Sequence, residues 1–554
     1  MNLIDKTLNY FFPDKGLKRE EKRSQTEVIN ALAKSVIRLL DEEKQFSNSG
    51  YSNGGASRTK PWVKGWHSHS RSAKSDIEMN RRTLRERTRD LAMNTAVGAA
   101  AVGSCRTNCV GQGLMPKPKI DYEFLGLTRE QAQEMEKDIR KEFRIWAEST
   151  LCDNNDQNNF YELQQIAFSD WLKNGEEFCL IRYDEEQPYM PYQLRLKLVE
   201  ADRVSTPNSF NADYTGIDKK EKDNTIMNGV EINKEGKVVA YHISSHFPGE
   251  YAPQQKWQRV EKRGKNTGNP NILHIFNSER ADQYRGVPFL APVIETIKQM
   301  SRYTEAEIMS AIVNSFFAVF VTTKDGAEVE EFGGVDGEPV EEEEDLVSGM
   351  NDTPDKIQQQ EMELGSGSVH YLADGESVTP VSANHPASSF EGFMNALMKQ
   401  IGAALEIAPE VLFKSFNKSF SASKAAMNES WKSFRTRRSW FVNDFCQEVY
   451  NLWFAEAVSK GRINAPGFFH DIRIRQAYTN CTWSGPTQGQ IDPNKEVAAA
   501  AARVKEGFST REDECAAMNG SNFEDNIRTL VNENKMLNEA QNALEREDKE
   551  NEED

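Results

Sequence analysis

Two helices joined by a short loop, between residues 385 and 461, constrain the fold of this chain more than any other stretch. In the first helix, apolar residues recur at every third or fourth position, which gives the helix one buried face. The second helix begins near Lys424, keeps a similar stripe, and reaches Gly461, a residue that suits a helix end. A helix of about 40 residues spans roughly 60 Å. We therefore predict that it is a strut rather than a packing element of a small globule.

Small residues interrupt the first helix, and the loop that follows it is polar and aromatic. Gly402, Ala403 and Ala404 are too small to fill a core, which predicts that this helix lies close against another backbone. The loop extends from Glu410 to Ser421. Its basic, polar and aromatic side chains are Lys414, Phe416, Asn417, Lys418, Ser419 and Phe420.

The length and charge of the chain limit its functional class. Its 554 residues are enough for roughly three or four domains, and its formal net charge is -18. No apolar run approaches the length of a membrane span, and the N-terminus lacks the pattern of a secretory signal, so we predict a soluble protein with no membrane partner. The acidic balance argues against a protein that coats nucleic acid. It leaves open a protein that lets nucleic acid pass without holding it.

The common catalytic and metal-binding motifs are missing from the sequence. It contains no GxxxxGK[ST], GxSxG or HExxH pattern, and the Gly111-Gln112-Gly113 turn has Pro116 where a dinucleotide loop needs a third glycine. Cys105 and Cys109 form the only close pair among seven cysteines, without further ligands nearby. We predict reduced thiols, no metal, no cofactor and no enzymatic activity. This leaves open a site assembled from residues distant in sequence.

The N-terminal region combines a helix, a polar arm and a run of arginines. One amphipathic helix precedes a Gly/Ser-rich stretch, after which Trp62 and Trp66 either anchor the arm to a neighbouring subunit or form a local aromatic cluster. Five arginines lie between Arg81 and Arg89. We favour a solvated or salt-bridged helix face for them over a phosphate-binding one.

A β-rich module and an acidic segment occupy the middle of the chain. Four strand-like runs between residues 176 and 277 are separated by turn residues, which predicts an antiparallel module. We interpret His242, His246 and His274 within it as satisfied sheet histidines rather than metal ligands.

A helix then begins at Pro288, and the composition changes sharply after Lys324. The following acidic, glycine-containing segment predicts a flexible insertion rather than a nuclease site, because catalytic carboxylates need a rigid shell. Two strands around Asp374-Gly375 return the chain to the first helix described above. The acidic residues are centred on Glu341, Glu342, Glu343, Glu344 and Asp345.

Several segments together resemble the lambda-like branch of tailed-phage portal proteins. They include LRERTRDLAMN, NGEEF, RADQYRGVP and IDPNKE, and they occur in the family order over roughly residues 60 to 530. Two features depart from the family. The long helix is entered by Ser419-Phe420-Ser421-Ala422 instead of an Asn-Tyr-Ser-Ser-like sequence, and the acidic insertion is longer than expected.

The resemblance implies an α+β subunit that assembles into a ring, commonly of twelve copies, at one vertex of the capsid. Double-stranded DNA would enter and leave through this head-tail connector during genome packaging and ejection. The implied partners are the terminase, the major capsid or scaffold protein and a head-tail adaptor, and the implied location is the virion, with the host cytoplasm during assembly. The implied parts are an N-terminal helix and flexible arm (1–85), a β-rich and helical wing (86–287), stem helix 1 (288–320), a small α/β clip with the acidic insertion (321–387), stem helix 2 (388–409), the tunnel loop (410–421), the wing strut helix and return (422–489) and a helical crown (490–554).

On this basis the loop after the second stem helix would line the DNA channel. A twelve-fold ring carries a formal charge of −18 × 12 = −216, which repels a duplex and keeps it sliding. Lys414 and Lys418 would touch DNA weakly, while Phe416 and Phe420 either contribute to that surface or pack against neighbouring loops. The small residues 402–404 would face the stem of the adjacent subunit. The competing functions are a head-tail adaptor ring and a terminase-type packaging enzyme.

Overall fold

A computed structural model describes residues 10, 13–44, 56–57, 60–207, 224–248, 250, 255–315, 319–323, 376–380, 390–415, 419–489, 492–521 and 523–553. The chain divides into two compact units, Met1–Arg71 and Ser72–Asp554. Helices and antiparallel sheets are both present, which confirms the predicted α+β class. None of the helices in these ranges is long and apolar enough to cross a membrane.

The smaller unit contains one long helix and a short 3-10 turn. Helix α1, Pro13–Lys44, includes the amphipathic helix predicted from the sequence, and the 3-10 turn is Pro61–Val63. Trp62 and Trp66 are largely exposed, and the Lys60 ammonium lies 4.8 Å from the Trp62 ring centre. Neither tryptophan is buried in a local aromatic cluster, so docking onto a neighbour stays a prediction.

The larger unit begins with helices that surround the first strand. In chain order they are α2 (Ala73–Asn94), α3 (Ala96–Cys109), β1 (Met115–Pro118), α4 (Tyr122–Leu125), α5 (Arg129–Ala147) and α6 (Phe160–Asn174). Helices α5 and α6 both begin with a capping box, formed by Thr128 with Gln131 and by Asn159 with Glu162. These caps satisfy backbone N–H groups that would otherwise lack partners at the helix starts.

The predicted β-rich module is antiparallel, as expected, and consists of two sheets. Its strands are β2 (Glu176–Tyr183), β3 (Leu194–Val199), β4 (Thr225–Met227), β5 (Val230–Ile232), β6 (Val238–Ser244), β7 (Trp257–Glu261) and β8 (Ile272–Phe276). Strand β2 is central in a sheet of order β3-β2-β8, and the other sheet has the order β4-β5-β6-β7. Strand β2 is buried along most of its length, because it pairs with a neighbour on both sides and packs against α6.

Two helices and two strands flank the acidic segment. They are α7 (Ile294–Ser315), β9 (Val319–Thr323), β10 (Glu376–Pro380) and α8 (Phe390–Leu405). Tyr303 of α7 stacks on Phe390 and meets Phe393 edge-on, with ring centres 5.5 and 5.1 Å apart, which holds the two helices together. Helix α7 begins later than the predicted start at Pro288, because a 3-10 turn, Ala291–Val293, precedes it.

The strand predicted after Asp374-Gly375 is present, and among the described residues it pairs with β9. Strand β10 pairs antiparallel with β9, with Val378 opposite Val321. The pairing places Thr323 opposite Glu376, so the last described residue before the acidic segment lies beside the first one after it. The other predicted strand of the hairpin and residues 341–345 lie outside the described residues.

The long second helix is confirmed, but it is not a free strut. It consists of α10 (Phe420–Phe441), a π-helical turn (Val442–Cys446) and α11 (Gln447–Ser459), and Gly461 ends it with a φ of 68°. Its C-terminal half lies in the main core of the protein. The buried side chains of this half are Phe441, Phe445, Cys446, Val449, Tyr450, Leu452, Trp453, Phe454 and Ala457.

The expectation of a strut is wrong for this half because the helix packs against α5, α6 and β3. Phe143 meets the Trp453 ring edge-on with centres 4.9 Å apart, and the Glu456 carboxylate accepts a hydrogen bond of 3.1 Å from the Leu194 backbone N–H. Length alone does not distinguish a projecting helix from a central one.

The C-terminal part returns to β1 and then continues as helices. The elements are α12 (Ile472–Thr479), β11 (Cys481–Ser484), α13 (Pro493–Lys505), α14 (Arg511–Asn519) and α15 (Phe523–Glu553). Strand β11 pairs antiparallel with β1, so residues far apart in sequence form one two-stranded sheet.

Candidate functional site

The described residues of the predicted channel-lining loop include a short helix and the start of the long helix. Helix α8 ends at Leu405, a short helix α9 (Pro409–Leu412) follows, and α10 begins at Phe420. Lys414 lies between them with its side chain exposed and its backbone in the left-handed region, at a φ of 54°. Ser419 is exposed at the start of α10. Phe416, Asn417, Lys418 and the side chain of Phe420 lie outside the described residues.

The small residues before this turn have different environments. The Gly402 carbonyl accepts a hydrogen bond of 2.9 Å from the Ile407 N–H, and a Cβ at Gly402 would lie only 2.6 Å from the Ile407 carbonyl oxygen. Gly402 therefore allows α8 to approach the backbone of its own chain closely. Ala403 and Ala404 are exposed. For these two alanines, packing against an adjacent subunit stays a prediction.

Three side chains of α10 hold the turn in place. The Ser430 hydroxyl accepts a hydrogen bond of 2.8 Å from the Ala408 N–H, and the Ser433 hydroxyl donates one of 2.9 Å to the Glu406 carbonyl. The Arg437 guanidinium donates to the Leu405 carbonyl at 3.1 Å. Residues separated by three and four positions share one helix face, so these side chains form a single polar row beneath the turn.

Sequence reasoning missed this polar row. A signal was available, since Ser430, Ser433 and Arg437 have helical spacing next to the apolar stripe of the same helix. The neighbouring Arg438, which interrupts the stripe, has a separate function. Its guanidinium donates to the carbonyls of Asn108 and Cys109 at the C-terminus of α3, both at 2.8 Å. A cation there satisfies terminal carbonyls and opposes the negative end of the helix dipole.

The turn therefore presents an exposed cation on a well-supported backbone. Glu406, which precedes α9, and Lys414, which follows it, both have positive φ angles. The hydrogen bonds from α10 reach Leu405, Glu406 and Ala408. Hydrogen bonds of this number restrict how far the turn can move relative to α10. The arrangement can make an electrostatic contact with an anion.

The arginine run has the structural role that the sequence favoured. Arg81 and Arg85 of α2 form ion pairs with the buried Glu176 carboxylate at 3.3 and 2.7 Å, and Arg285 of the RADQYRGVP segment forms another at 2.7 Å. Burial alone would raise the pKa of Glu176, but Arg285, a hydrogen bond from His274 and Arg85 hold that pKa well below its usual value. These arginines connect α2, β2 and the segment before α7.

The histidines of the β-rich module are hydrogen-bonded, as predicted. His242 and His274 each lie 3.0 Å from a carboxylate, Glu231 and Glu176 respectively, and burial lowers the pKa of both rings. His246 is exposed just after β6, with its Nδ1 atom 2.7 Å from the Ser245 hydroxyl. Within the described ranges, no group of three or more His, Cys, Asp or Glu side chains is placed to hold a metal ion. All seven cysteines are free thiols.

Comparison with known proteins identifies the family. The family model described as "Phage portal protein, lambda family" matches residues 59–438, which is more than half of the 554-residue chain. The chain therefore belongs to the lambda family of phage portal proteins.

Two curated relatives match along most of their length. The portal protein of Escherichia phage N15 is 25% identical over 462 residues, which cover 82% of this chain and 84% of the relative. Portal protein B of Escherichia phage lambda is 24% identical over 474 residues, which cover 84% of this chain and 86% of the relative. A chain in the neck of an empty gene transfer agent particle is 11% identical, and the match covers 78% of this chain and 94% of that chain. Its TM-score of 0.39 is too low to support an argument from shape.

Proposed function

We propose that this chain is the subunit of a ring, commonly of twelve copies, that forms the DNA channel at one capsid vertex. Double-stranded DNA passes through the ring when the genome is packaged and when it is ejected. The observation that carries the proposal is the family match over residues 59–438. The subunit is in the host cytoplasm during assembly and at the portal vertex of the virion afterwards.

The turn between α8 and α10 is the channel-lining element in this proposal. Its exposed Lys414 offers a cation to passing phosphates, while the chain as a whole carries a net charge of -18. Each contact between a cation and a phosphate adds to the affinity for DNA, so a wall with many such contacts would hold the duplex. A wall with few cations makes contacts that form and break easily. Lys418, Phe416, Asn417, Ser419 and Phe420 belong to the same proposed surface.

The remaining parts of the subunit are assigned in the same proposal. Helices α7 and α8 form the stem, with Ala403 and Ala404 facing the adjacent subunit, and the β9–β10 pair with the acidic residues 341–345 forms the clip. The clip docks the terminase during packaging and a head-tail adaptor afterwards. The helices after residue 490 form the crown inside the head, and the capsid or scaffold protein surrounds the wing.

The role is structural rather than enzymatic, and two measurements test it. Electron microscopy of the purified full chain is expected to show rings with a central hole as wide as a DNA duplex. An ATP-hydrolysis assay is expected to show no turnover above that of a buffer control. Monomers without rings, or steady hydrolysis by the isolated chain, contradict the proposal.

Charge reversal tests the channel-lining turn. Lys414→Glu combined with Lys418→Glu should reduce the yield of genome-filled heads several-fold while rings still assemble, because the change adds repulsion where the duplex passes. Lys141→Glu, at an exposed lysine of α5, is the matched control and should leave the yield unchanged. Normal numbers of filled heads from the double variant would reject the role of the turn.

A further inference from the structure

The segment before α2 contains a compact turn, residues 60–66, that presents two exposed tryptophans. The Val63 N–H donates to the Lys60 carbonyl at 3.1 Å, and the Trp66 N–H donates to the Val63 carbonyl at 3.0 Å. Trp62 and Trp66 are 71% and 74% exposed. Because the hydrogen bonds already fix the backbone of this tryptophan turn, its two rings have little conformational freedom to lose on binding.

The charge of this segment is entirely positive. Residues 60–71 contain Lys60, Lys64 and Arg71 and no acidic residue. Lys64 is exposed and makes no ion pair with a described residue. A surface that binds the tryptophan turn therefore needs apolar space for the rings and carboxylates beside that space.

A groove between α4, α5 and the segment that leads into α12 has the apolar space. Its volume is about 700 Å³, within the range of roughly 300–1,000 Å³ that is usual for sites that bury a ligand. Ile139 in its lining is fully buried, whereas Phe124 is 49% exposed, so the apolar surface continues from the interior to the outside. The other large apolar side chains of the lining include Leu125, Leu127, Met135, Ile463 and Tyr478.

Carboxylates outnumber cations around this acidic groove. Among the described residues that line it, Glu134, Asp138 and Asp471 are acidic and Arg462 is basic. Arg462 donates two hydrogen bonds to the Glu142 carboxylate, at 2.7 and 2.9 Å, so its charge is already balanced within the subunit. Surface cations of the same chain lie 3.4 Å from Asp138 and Asp471. Glu134 is exposed and makes no ion pair with a described residue, which leaves its charge for a partner.

We propose that the tryptophan turn of one copy of this chain docks into the acidic groove of the next copy. Trp62 and Trp66 pack against the apolar lining, and Lys64 lies beside Glu134. The inference rests on the proposed ring, in which each subunit offers one surface to the next subunit and a different surface to the previous one. The tryptophan turn and the acidic groove are two different surfaces of the same chain, so every copy supplies one of each.

The connection between the tryptophan turn and α2 is long enough for such a contact. Residues 67–72 contain neither helix nor strand. From Trp66 to Ala73 the chain can extend at most about 25 Å. This length allows the tryptophan turn to reach beyond the surface of its own subunit.

Site-specific crosslinking in the full-length chain tests the docking. His67→Cys lies next to the tryptophan turn and Asn464→Cys lies in the groove lining, and both positions are exposed. A short bismaleimide should link chains that carry both substitutions into a ladder of dimers, trimers and larger products, because each chain is joined to two others. His67→Cys combined with Glu235→Cys, in the exposed turn between β5 and β6, is the matched control and should give at least several-fold less of this ladder. Each single variant gives the background from the native cysteines.

The outcomes separate this inference from the proposed function. A product linked only within single chains overturns the contact between copies, because the tryptophan turn then occupies the groove of its own subunit. Rings in which the first pair does not exceed the controls overturn the docking and leave the ring proposal intact. Absence of rings by electron microscopy overturns the ring proposal, and a ladder specific to the first pair would still support docking between copies.

A charge exchange provides an independent readout. Lys64→Glu or Glu134→Lys, added to the first cysteine pair, should each reduce the ladder several-fold, because each brings like charges together. The two substitutions combined restore opposite charges and should return most of the original yield. Glu235→Lys is the matched control for Glu134→Lys and should leave the yield unchanged. A combined variant that crosslinks no better than either single one overturns the inferred contact.

Discussion

Two consecutive glutamates of strand β2 show how strongly the environment controls a single residue. Glu176 and Glu177 are both fully buried. Glu176 is paired with three arginines, which hold its pKa well below the usual value despite its burial. For Glu177, burial together with the nearby Asp170 and Glu200 raises the pKa well above the usual value, and neither carboxyl oxygen has a hydrogen-bond partner among the described residues. Burial acts on both carboxyls, and the arginines reverse its effect on the pKa only for Glu176.

This difference predicts opposite results from the same substitution. Glu176→Gln removes the charge that balances the buried arginines and should lower the free energy of unfolding by about 3–5 kcal/mol. Glu177→Gln replaces a carboxyl whose charged form is disfavoured by burial with an uncharged amide of similar size, and it should leave stability unchanged or raise it at pH 7. Thermal unfolding of the two variants beside the parent measures the effect. Equal destabilisation by both substitutions would contradict the opposite directions of the two pKa shifts.

At the scale of elements, the turn between α8 and α10 depends on one close backbone approach. Gly402→Ala would place a methyl group 2.6 Å from the Ile407 carbonyl oxygen, and the turn would have to shift. We expect a loss of about 1–3 kcal/mol of stability, as for other overpacked sites. The measurement is the melting temperature of the purified chain, followed by ring formation.

A second glycine of the same helix provides the control. A Cβ at Gly392 would meet no other atom within 4 Å, so Gly392→Ala should be neutral or stabilising by up to about 1 kcal/mol, in line with helix propensity. If the two substitutions have the same effect, helix propensity rather than the close approach decides stability at Gly402.

The π-helical turn of the long helix contains an acid with a shifted pKa. Asp444 lies in this turn, which packs against β8, and its carboxylate accepts a hydrogen bond from the Phe276 backbone. Burial is the main cause that raises the pKa of Asp444 to about 6, and Glu448 adds to it while Lys262 opposes it. An insertion of this kind widens one turn of a helix and often marks a functional position.

The raised pKa predicts a specific pH dependence. The folded state holds the proton more tightly than the unfolded state, so Asp444 destabilises the fold above pH 6 and this penalty disappears as the pH falls toward 4. Asp444→Asn keeps an oxygen that can accept the Phe276 hydrogen bond and removes the charge. The variant should melt at a higher temperature than the parent at pH 8, with a difference that shrinks toward pH 4.5. A difference that does not change with pH would show that Asp444 has an ordinary pKa.

At the scale of the whole molecule, the chain consists of two units of very different size. The smaller, Met1–Arg71, contains α1, whose apolar residues Val28, Ile29 and Leu32 are each more than half exposed. The larger unit contains the core that α5, α6 and the long helix share. The described core residues that stabilise the larger unit therefore all belong to that unit.

Removal of the smaller unit tests this division. A chain that starts at Ser72 should unfold within a few degrees of the full chain and give the same secondary-structure content per residue, because the main core is complete without Met1–Arg71. Circular dichroism with a thermal melt is sufficient. A large drop in melting temperature would show that the smaller unit contributes to the core.

Local patterns in the sequence were sufficient to predict several elements. The stripe from Met427 to Leu452 predicted the long helix, Gly461 predicted its end, and the separated strand-like runs predicted the antiparallel module. The dense run of arginines between Arg81 and Arg89 favoured a structural role, which the ion pairs of Arg81, Arg85 and Arg89 confirm. Each of these inferences depends on residues within a few turns or strands of one another.

Contacts between distant residues could not be inferred in the same way. Three such contacts join residues that are remote along the chain or on different elements. They are the pairing of β10 with β9, the pairing of Glu176 with Arg285, and the hydrogen bonds from Ser430, Ser433 and Arg437 to the turn.

Periodicity and turn residues thus specify where helices and strands form, because hydrogen bonding and amphipathic spacing are local properties. Tertiary packing specifies whether the long helix projects or lies in the core, which of two adjacent glutamates is paired with arginines, and why a side chain at position 402 would clash. Burial and close approach depend on what other elements bring to the same place, and the three-dimensional arrangement of the chain sets both.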